Sequence, residues 1–147
     1  MSLTLKEIQD YVYENKSLVL ATVCPKGRPH LRHIGGYTID GTDIYFNTAK
    51  GTAKTVDIEA QPRVALLFQH EGQQVPKNIT FYGEAAPLDK DEAAKALELI
   101  KKRRPQVQYN EETNVIYKVT VDRIKILDFA AEEKQVVLEK EDIEKAL

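Results

Sequence analysis

The sequence has only one cysteine, Cys24, so it cannot form a disulfide within the chain. No cysteine–histidine spacing resembles a structural zinc site either. An excess of charge of one sign is also missing, because 21 Lys and Arg residues face 23 Asp and Glu residues and leave a formal net charge of −2. This balance argues against a nucleic-acid-coating protein and against a polybasic membrane anchor.

Long hydrophobic runs are absent as well. No segment approaches the ~18–20 consecutive apolar residues that span a bilayer, and Met1–Gln9 lacks the basic start and apolar block of a signal peptide. No dinucleotide fingerprint of the G-x-G-x-x-G type is present. At about 100–200 residues per domain, we expect one cytoplasmic domain over residues 1–147, with a core at about 5–129 and a charged tail at 130–147.

Short apolar, β-branched runs separated by turn signals make up most of the sequence. Strands are predicted at 17–24, 28–39, 42–47, 64–68, 78–88 and 115–129, with a hairpin turn at Asp40-Gly41. Helices are predicted after the capping box Thr4–Glu7, from about Thr52 to Gln61, from Asp89 to Arg104 and over Lys140–Leu147. Because too few helices separate the strands for a parallel sheet, the pattern predicts a mainly β protein, a barrel of about six strands.

The segment Thr48–Lys54 has the features of a phosphate site. A strand ends there, Gly51 turns the chain and a helix begins near Thr52. Helix N-termini bind anions, and lysine forms strong charge-assisted hydrogen bonds with phosphate. The alternative is an ordinary N-cap at Thr52, with Lys50 and Lys54 in solvent.

Gly35-Gly36 interrupts a predicted strand and has two explanations. Glycine inside a strand often marks a close approach by a ligand, so a planar ring lying along the strand would use the missing side chains. The alternative is a corner of the barrel.

The remaining chemical groups favour structural roles. His30 and His33 are three apart in a strand and point to opposite faces, which is poor geometry for one metal ion. Cys24 ends a buried strand and is expected to be an inert core thiol. The basic run Lys101–Arg104 is predicted to be a solvated helix end rather than a nucleic-acid patch.

An ordered set of short segments resembles one known family, the pyridoxamine 5′-phosphate oxidase-like FMN-binding split barrels, over Leu5–Phe129. The matching segments are, in order, Ala21-Thr22-Val23, Gly27-Arg28-Pro29-His30, Asp40-Gly41, Ile44-Tyr45-Phe46, Lys54, Pro62-Arg63-Val64-Ala65-Leu66 and Gly83-Glu84-Ala85. The resemblance implies a six-stranded antiparallel split barrel that forms a homodimer, with one FMN in each of two clefts at the subunit interface.

The resemblance also implies roles for individual residues. A strand segment that contacts the flavin ring and phosphate would hold Arg32, His33 and Ile34, and Thr48 would lie near the ring and ribityl chain. The Ser/Thr-x-Lys phosphate clamp of the family would be Thr52 and Lys54, with Lys50 as a further contact. Gln69 would offer a polar side chain to the flavin of the other subunit.

Two positions depart from the family pattern. Ala53 stands where many members have an arginine, and Ala130–Lys134 stands where pyridoxine phosphate oxidases have an arginine-rich substrate segment. We therefore expect an FMN-dependent oxidoreductase that acts on a different small molecule, with a reduced nicotinamide or another donor. The alternatives are a non-catalytic flavin-binding protein and a haem- or deazaflavin-binding relative, for which His33 and His70 are the only conceivable haem ligands.

Overall fold

The computed structural model describes residues 3–146, which form four helices and eight strands. The helices are α1 (Leu5–Glu14), α2 (Ala53–Ala60), α3 (Lys90–Arg103) and α4 (Lys140–Ala146). The strands are β1 (Leu18–Val23), β2 (Pro29–Ile34), β3 (Tyr37–Asp40), β4 (Asp43–Ala49), β5 (Arg63–Phe68), β6 (Lys77–Pro87), β7 (Asn114–Asp128) and β8 (Gln135–Glu139).

All the strands belong to one antiparallel sheet that curls into a split barrel. Seven of them follow the order β2-β1-β5-β6-β7-β4-β3, and β8 pairs with β7 beside this path. The predicted mainly β fold is therefore confirmed. The sequence predicts six strands, whereas the structure has seven in continuous order and an eighth, β8, that pairs with β7.

The additional strand on the path arises at Gly35-Gly36. The predicted strand 28–39 is two strands, and β2 and β3 lie at opposite ends of the sheet order. Gly36 stays attached to the barrel because its carbonyl accepts the N–H of Asn47 at 2.8 Å. The glycine pair is therefore a corner where the chain leaves one edge of the split barrel and enters the other.

Alternation along the strands separates an inner from an outer face. In β1, Leu18, Leu20 and Thr22 are buried, whereas Val19, Ala21 and Val23 are only partly covered. The inner face forms the main core together with β5, β6 and β7, and α1 and α2 also contribute to it. Helix α3 covers a smaller second core that includes Ile100 and Ile116.

The charged tail is more ordered than the sequence indicates. Residues 135–139 add β8 to the edge of β7, and α4 turns Ile143 into the main core. The predicted terminal helix is confirmed over Lys140–Ala146, and Leu147 lies outside the described residues. Cys24 is only half-buried, and its sulfur accepts the N–H of Arg28 at 3.4 Å in the β1–β2 turn. Within residues 3–146, no helix is long and apolar enough to cross a membrane.

Candidate functional site

Helix α2 packs against β1 of the barrel. Thr52 is the N-cap residue of α2, but its hydroxyl does not cap the helix and instead donates to the carbonyl oxygen of Ala49 at 3.1 Å. The first-turn amides of a helix have no partner within the helix. In α2 the N–H of Thr55 already donates to the carbonyl oxygen of Thr52 at 3.1 Å, which leaves the amides of Ala53 and Lys54 as the first-turn donors to an anion. The side chain of Thr52 does not compete for them.

Lys54 is half-buried beside Arg32 rather than extended into solvent. Burial lowers the pKa of the Lys54 ammonium, and the positive charge of Arg32 lowers that pKa further. Among residues 3–146, no carboxylate lies within ion-pair distance of Lys54. The fold thus holds two cations close together and leaves one of them without a counter-ion.

Hydrogen bonds to the neighbouring strand β1 hold the Arg32 side chain in place. Its Nη1 donates to Thr22 Oγ1 at 2.6 Å and lies 3.4 Å from the carbonyl oxygen of Leu20. Its Nη2 is 3.6 Å from Asp57 Oδ2. The Arg32 side chain is thus held by β1 and α2, and it is still 21% exposed.

Asp57 is a buried carboxylate at the base of this cluster. Its Oδ2 accepts a hydrogen bond from Thr22 Oγ1 at 2.8 Å and is also 2.8 Å from His30 Nδ1. Burial alone would raise the pKa of the Asp57 carboxyl, but the hydrogen bonds from Thr22 and His30 and the charges of His30 and Arg32 lower it below its ordinary value. The carboxylate is therefore ionised at neutral pH.

His33 and Gln69 lie elsewhere, on the outer side of the sheet. Both line a pocket of about 370 Å³ together with residues such as Val19 and Leu67. His33 Nδ1 is 3.2 Å from Ser17 Oγ. His30 and His33 thus point to opposite faces of β2, as the spacing predicts.

The other predicted site residues are engaged in the protein itself. Ile34 and Thr48 are buried in the interior, so a bound molecule would meet their backbone rather than their side chains. Lys50 Nζ donates to the carbonyl oxygen of Glu111 at 2.7 Å, which ties this lysine to the loop before β7. The structure therefore brings Arg32 and Lys54 together and Thr52 next to them, and it keeps Lys50 occupied.

The space beside Gly35-Gly36 is filled by the end of α3 and the following loop. A Cβ atom at Gly35 would lie 3.2 Å from the guanidinium of Arg104, and one at Gly36 would lie 2.9 Å from Val107 Cγ2. This corrects the expectation that a planar ring uses the missing side chains. The expectation of a solvated helix end holds for Lys101 and Lys102, which are exposed, but is wrong for Arg103, whose guanidinium donates to the carbonyls of Gly35 and Tyr37 at 2.9 and 3.1 Å.

Comparisons with known proteins agree on the fold and family. The sequence profile of the family described as "Pyridoxamine 5'-phosphate oxidase" matches residues 4–128. A pyridoxine/pyridoxamine 5'-phosphate oxidase from Rubrobacter xylanophilus is 46% identical over 57 residues, which are 39% of this chain and 26% of that protein. The match thus spans about a quarter of the length of this curated relative.

Two solved structures resemble the whole barrel. Conserved hypothetical protein Rv2991 from Mycobacterium tuberculosis has a TM-score of 0.73 and 24% identity, with 87% of this chain and 86% of that chain covered. A heme binding protein from Mycobacterium smegmatis has a TM-score of 0.73 and 15% identity, with 97% of this chain and 61% of that chain covered. At these identities the likeness is one of fold.

Proposed function

The chain belongs to the pyridoxamine 5'-phosphate oxidase family, and from that premise we propose that it is a flavoprotein that binds FMN. The observation that carries this proposal is the pair of half-buried cations, Arg32 and Lys54, of which Lys54 has no carboxylate partner among the described residues. A terminal phosphate is the group of FMN that such a pair would hold.

The charges of the cluster suit a dianion. Arg32 and Lys54 supply two positive charges, and Asp57 supplies one negative charge below them, so the site keeps a net positive charge. Charge-assisted hydrogen bonds from arginine and lysine to phosphate are the strong kind, and the amides at the start of α2 add donors of the same polarity. Thr52 is the N-cap residue of α2, so its backbone lies next to these amides.

We also propose that the protein acts as a homodimer. The outer face of the sheet presents a row of facing residues, Leu31, Ala21 and Ala65, across three strands. Leu31 is 71% exposed there, and a second copy would remove this apolar face from water. His33 and Gln69 lie on the same side of the sheet, where they would reach a flavin bound by the partner copy.

The proposed reaction is the transfer of a hydride or of electrons from a reduced nicotinamide, or another donor, to a small molecule. When bound, the isoalloxazine ring supplies the redox chemistry, and the protein supplies placement and electrostatics. Here Arg32 and Lys54 would hold the phosphate end. The segment Ala130–Lys134 lacks arginine, so the substrate we propose is a small molecule other than a pyridoxine phosphate.

The absorption spectrum of the freshly purified protein tests the cofactor class. We expect the two-band spectrum of oxidised flavin, and FMN should bind more tightly than riboflavin, which lacks the phosphate. A Soret band would instead identify a haem protein. His70, one of the two conceivable haem ligands, is engaged within the protein, because its Nε2 is 2.9 Å from the carbonyl oxygen of Tyr11 and its ring stacks on Tyr11.

Anaerobic mixing with reduced nicotinamide tests the reaction. We expect the flavin bands to bleach and to return when an electron acceptor is added. A yellow protein that is not reduced by any donor and shows no turnover would be a flavin-binding protein without the proposed oxidoreductase activity.

A further inference from the structure

His30 stands in the anion site without an assigned role. It is two residues from Arg32 on β2, so both side chains point to the same face. His30 Nδ1 is 2.8 Å from Asp57 Oδ2, and its side chain is 37% exposed whereas that of Asp57 is only 3% exposed. One nitrogen of the imidazole is thus held by the buried carboxylate, while the ring extends toward solvent beside Arg32.

The partners of Asp57 determine which nitrogen of His30 carries a proton. An ionised carboxylate can only accept hydrogen bonds, so His30 Nδ1 must donate to it. In the neutral ring Nε2 then carries a lone pair, which would repel an anion. In the protonated ring Nε2 becomes a donor and the ring carries a positive charge.

Resting on the proposed function, we propose that His30 is a third anion-binding residue of this site and that Asp57 is its positioning residue. A phosphate dianion then binds together with one proton, which moves from solvent to His30 Nε2. No other bond forms or breaks in this step.

The groups around His30 come from three elements. Thr22 on β1 donates to Asp57, the anion on α2. Arg32 on β2 points to the same face as His30, and Lys54 on α2 is a second cation beside Arg32. Before a ligand arrives, the two cations oppose a further positive charge and Asp57 favours it. An incoming dianion shifts this balance toward protonation, and histidine is the side chain that takes up a proton near neutral pH.

The test measures the affinity of the full chain for FMN between about pH 7 and about pH 8.5. In this range the phosphate, with a second pKa of about 6, is already a dianion, so its own titration does not contribute. We expect the Kd to rise with pH by up to about tenfold per unit, the limit for uptake of one proton. Calorimetry in two buffers of different ionisation enthalpy should count the same proton directly.

Two variants test whether this proton binds to His30. His30→Gln keeps a side chain that can bond to Asp57 but cannot titrate in this range, and it should flatten the pH dependence and abolish proton uptake. Asp57→Asn should weaken both effects because it removes the carboxylate that orients the ring. Asp10→Asn, on the exposed face of α1, is the matched control for Asp57→Asn and should keep the wild-type pH dependence of the Kd. His33→Gln is the control for His30→Gln and should also keep this pH dependence, even if its affinity for FMN differs from that of the wild type.

The outcomes separate this inference from the proposed function. If wild-type protein does not bind FMN at any pH, both are wrong. If it binds FMN with a flat pH profile, or if His30→Gln keeps the profile, FMN binding stands and the role of His30 is wrong. If Asp57→Asn fails to fold, His30→Gln and the calorimetric proton count still decide.

Discussion

The guanidinium of Arg103 lies over Tyr37, with its central carbon 3.7 Å from the centre of the aromatic ring. The two side chains share a partner, because the Tyr37 hydroxyl is 2.7 Å from the carbonyl oxygen of Asn15 and Arg103 Nη2 donates to the same oxygen. Arg103 also donates to the carbonyls of Tyr13 and Gly35. This one arginine thus ties the ends of α1 and α3 to the corner between β2 and β3.

Arg103→Ala should destabilise the fold by about 2–4 kcal/mol, because it removes several charged hydrogen bonds to backbone carbonyls and the contact with the Tyr37 ring. Urea unfolding followed by circular dichroism measures the change. The neighbouring variant Lys101→Ala is the control, since Lys101 is exposed, and its effect should stay within about 0.5 kcal/mol. Equal effects of the two substitutions would contradict the role given to Arg103.

Substitution by alanine should destabilise the protein to different extents at two glycines, Gly83 and Gly36. At Gly83, beside a bulge in the pairing of β6 with β7, a Cβ atom would overlap the backbone carbonyl oxygen of Thr120. At Gly36 the nearest atom is Val107 Cγ2 at 2.9 Å, a side-chain methyl in the loop after α3 rather than a backbone atom. We expect Gly83→Ala to cost about 3 kcal/mol or more and Gly36→Ala about 1 kcal/mol. Thermal unfolding ranks the two, and an equal or reversed order would contradict these contacts.

Most of the fold could be predicted because it depends on local patterns. The buried runs that form β1 and β5, the turn at Asp40-Gly41 and the capping box at Thr4 all act within a few residues. The sequence leaves two explanations open for Gly35-Gly36, a ligand contact and a barrel corner. The contact with α3 that decides for the corner comes from Arg103, 68 residues away in sequence. The strand β8 was missed because its alternating residues are exposed or only half-buried.

Leu31→Glu should convert a dimer into a monomer. The new charge would lie on the outer face of the edge strand β2, opposite Ala21 in β1, where a partner copy would have to bury it. Light scattering after size-exclusion chromatography gives the mass.

Leu99→Glu is the control for this prediction, because Leu99 is 37% exposed on α3, away from the outer face. It should leave the mass of the wild type unchanged. A wild-type protein that is a monomer, or a Leu31→Glu variant that stays a dimer, would contradict the proposed interface.

The ionisation of Asp57 should make the free energy of unfolding depend on pH in the acid range. Because its pKa in the folded protein lies below the ordinary value of 3.8, its contribution is present above about pH 3.8 and is lost as the pH falls through the folded pKa. Asp57→Asn should therefore lower the free energy of unfolding at about pH 5 more than at about pH 3. Urea unfolding at both pH values checks this, and a constant difference would contradict it.

The candidate site was predicted in part. The signal in Thr48–Lys54 is local, and Lys54 does lie beside Arg32. Asp57 and His30 carry no such signal, because their pairing joins α2 to β2 across 27 positions of sequence. The one usable sign was the three-residue spacing of Lys54 and Asp57, which places both on the same face of a helix.

The affinity of Lys54→Ala for FMN tests the central claim most directly. Loss of a charged hydrogen bond of about 1.5–3 kcal/mol should raise the Kd for FMN by about 10- to 150-fold while leaving that for riboflavin nearly unchanged. Lys95→Ala, an exposed lysine on α3, should bind both ligands as the wild type does. Equal FMN affinity in the wild type and Lys54→Ala would contradict the account of this phosphate site.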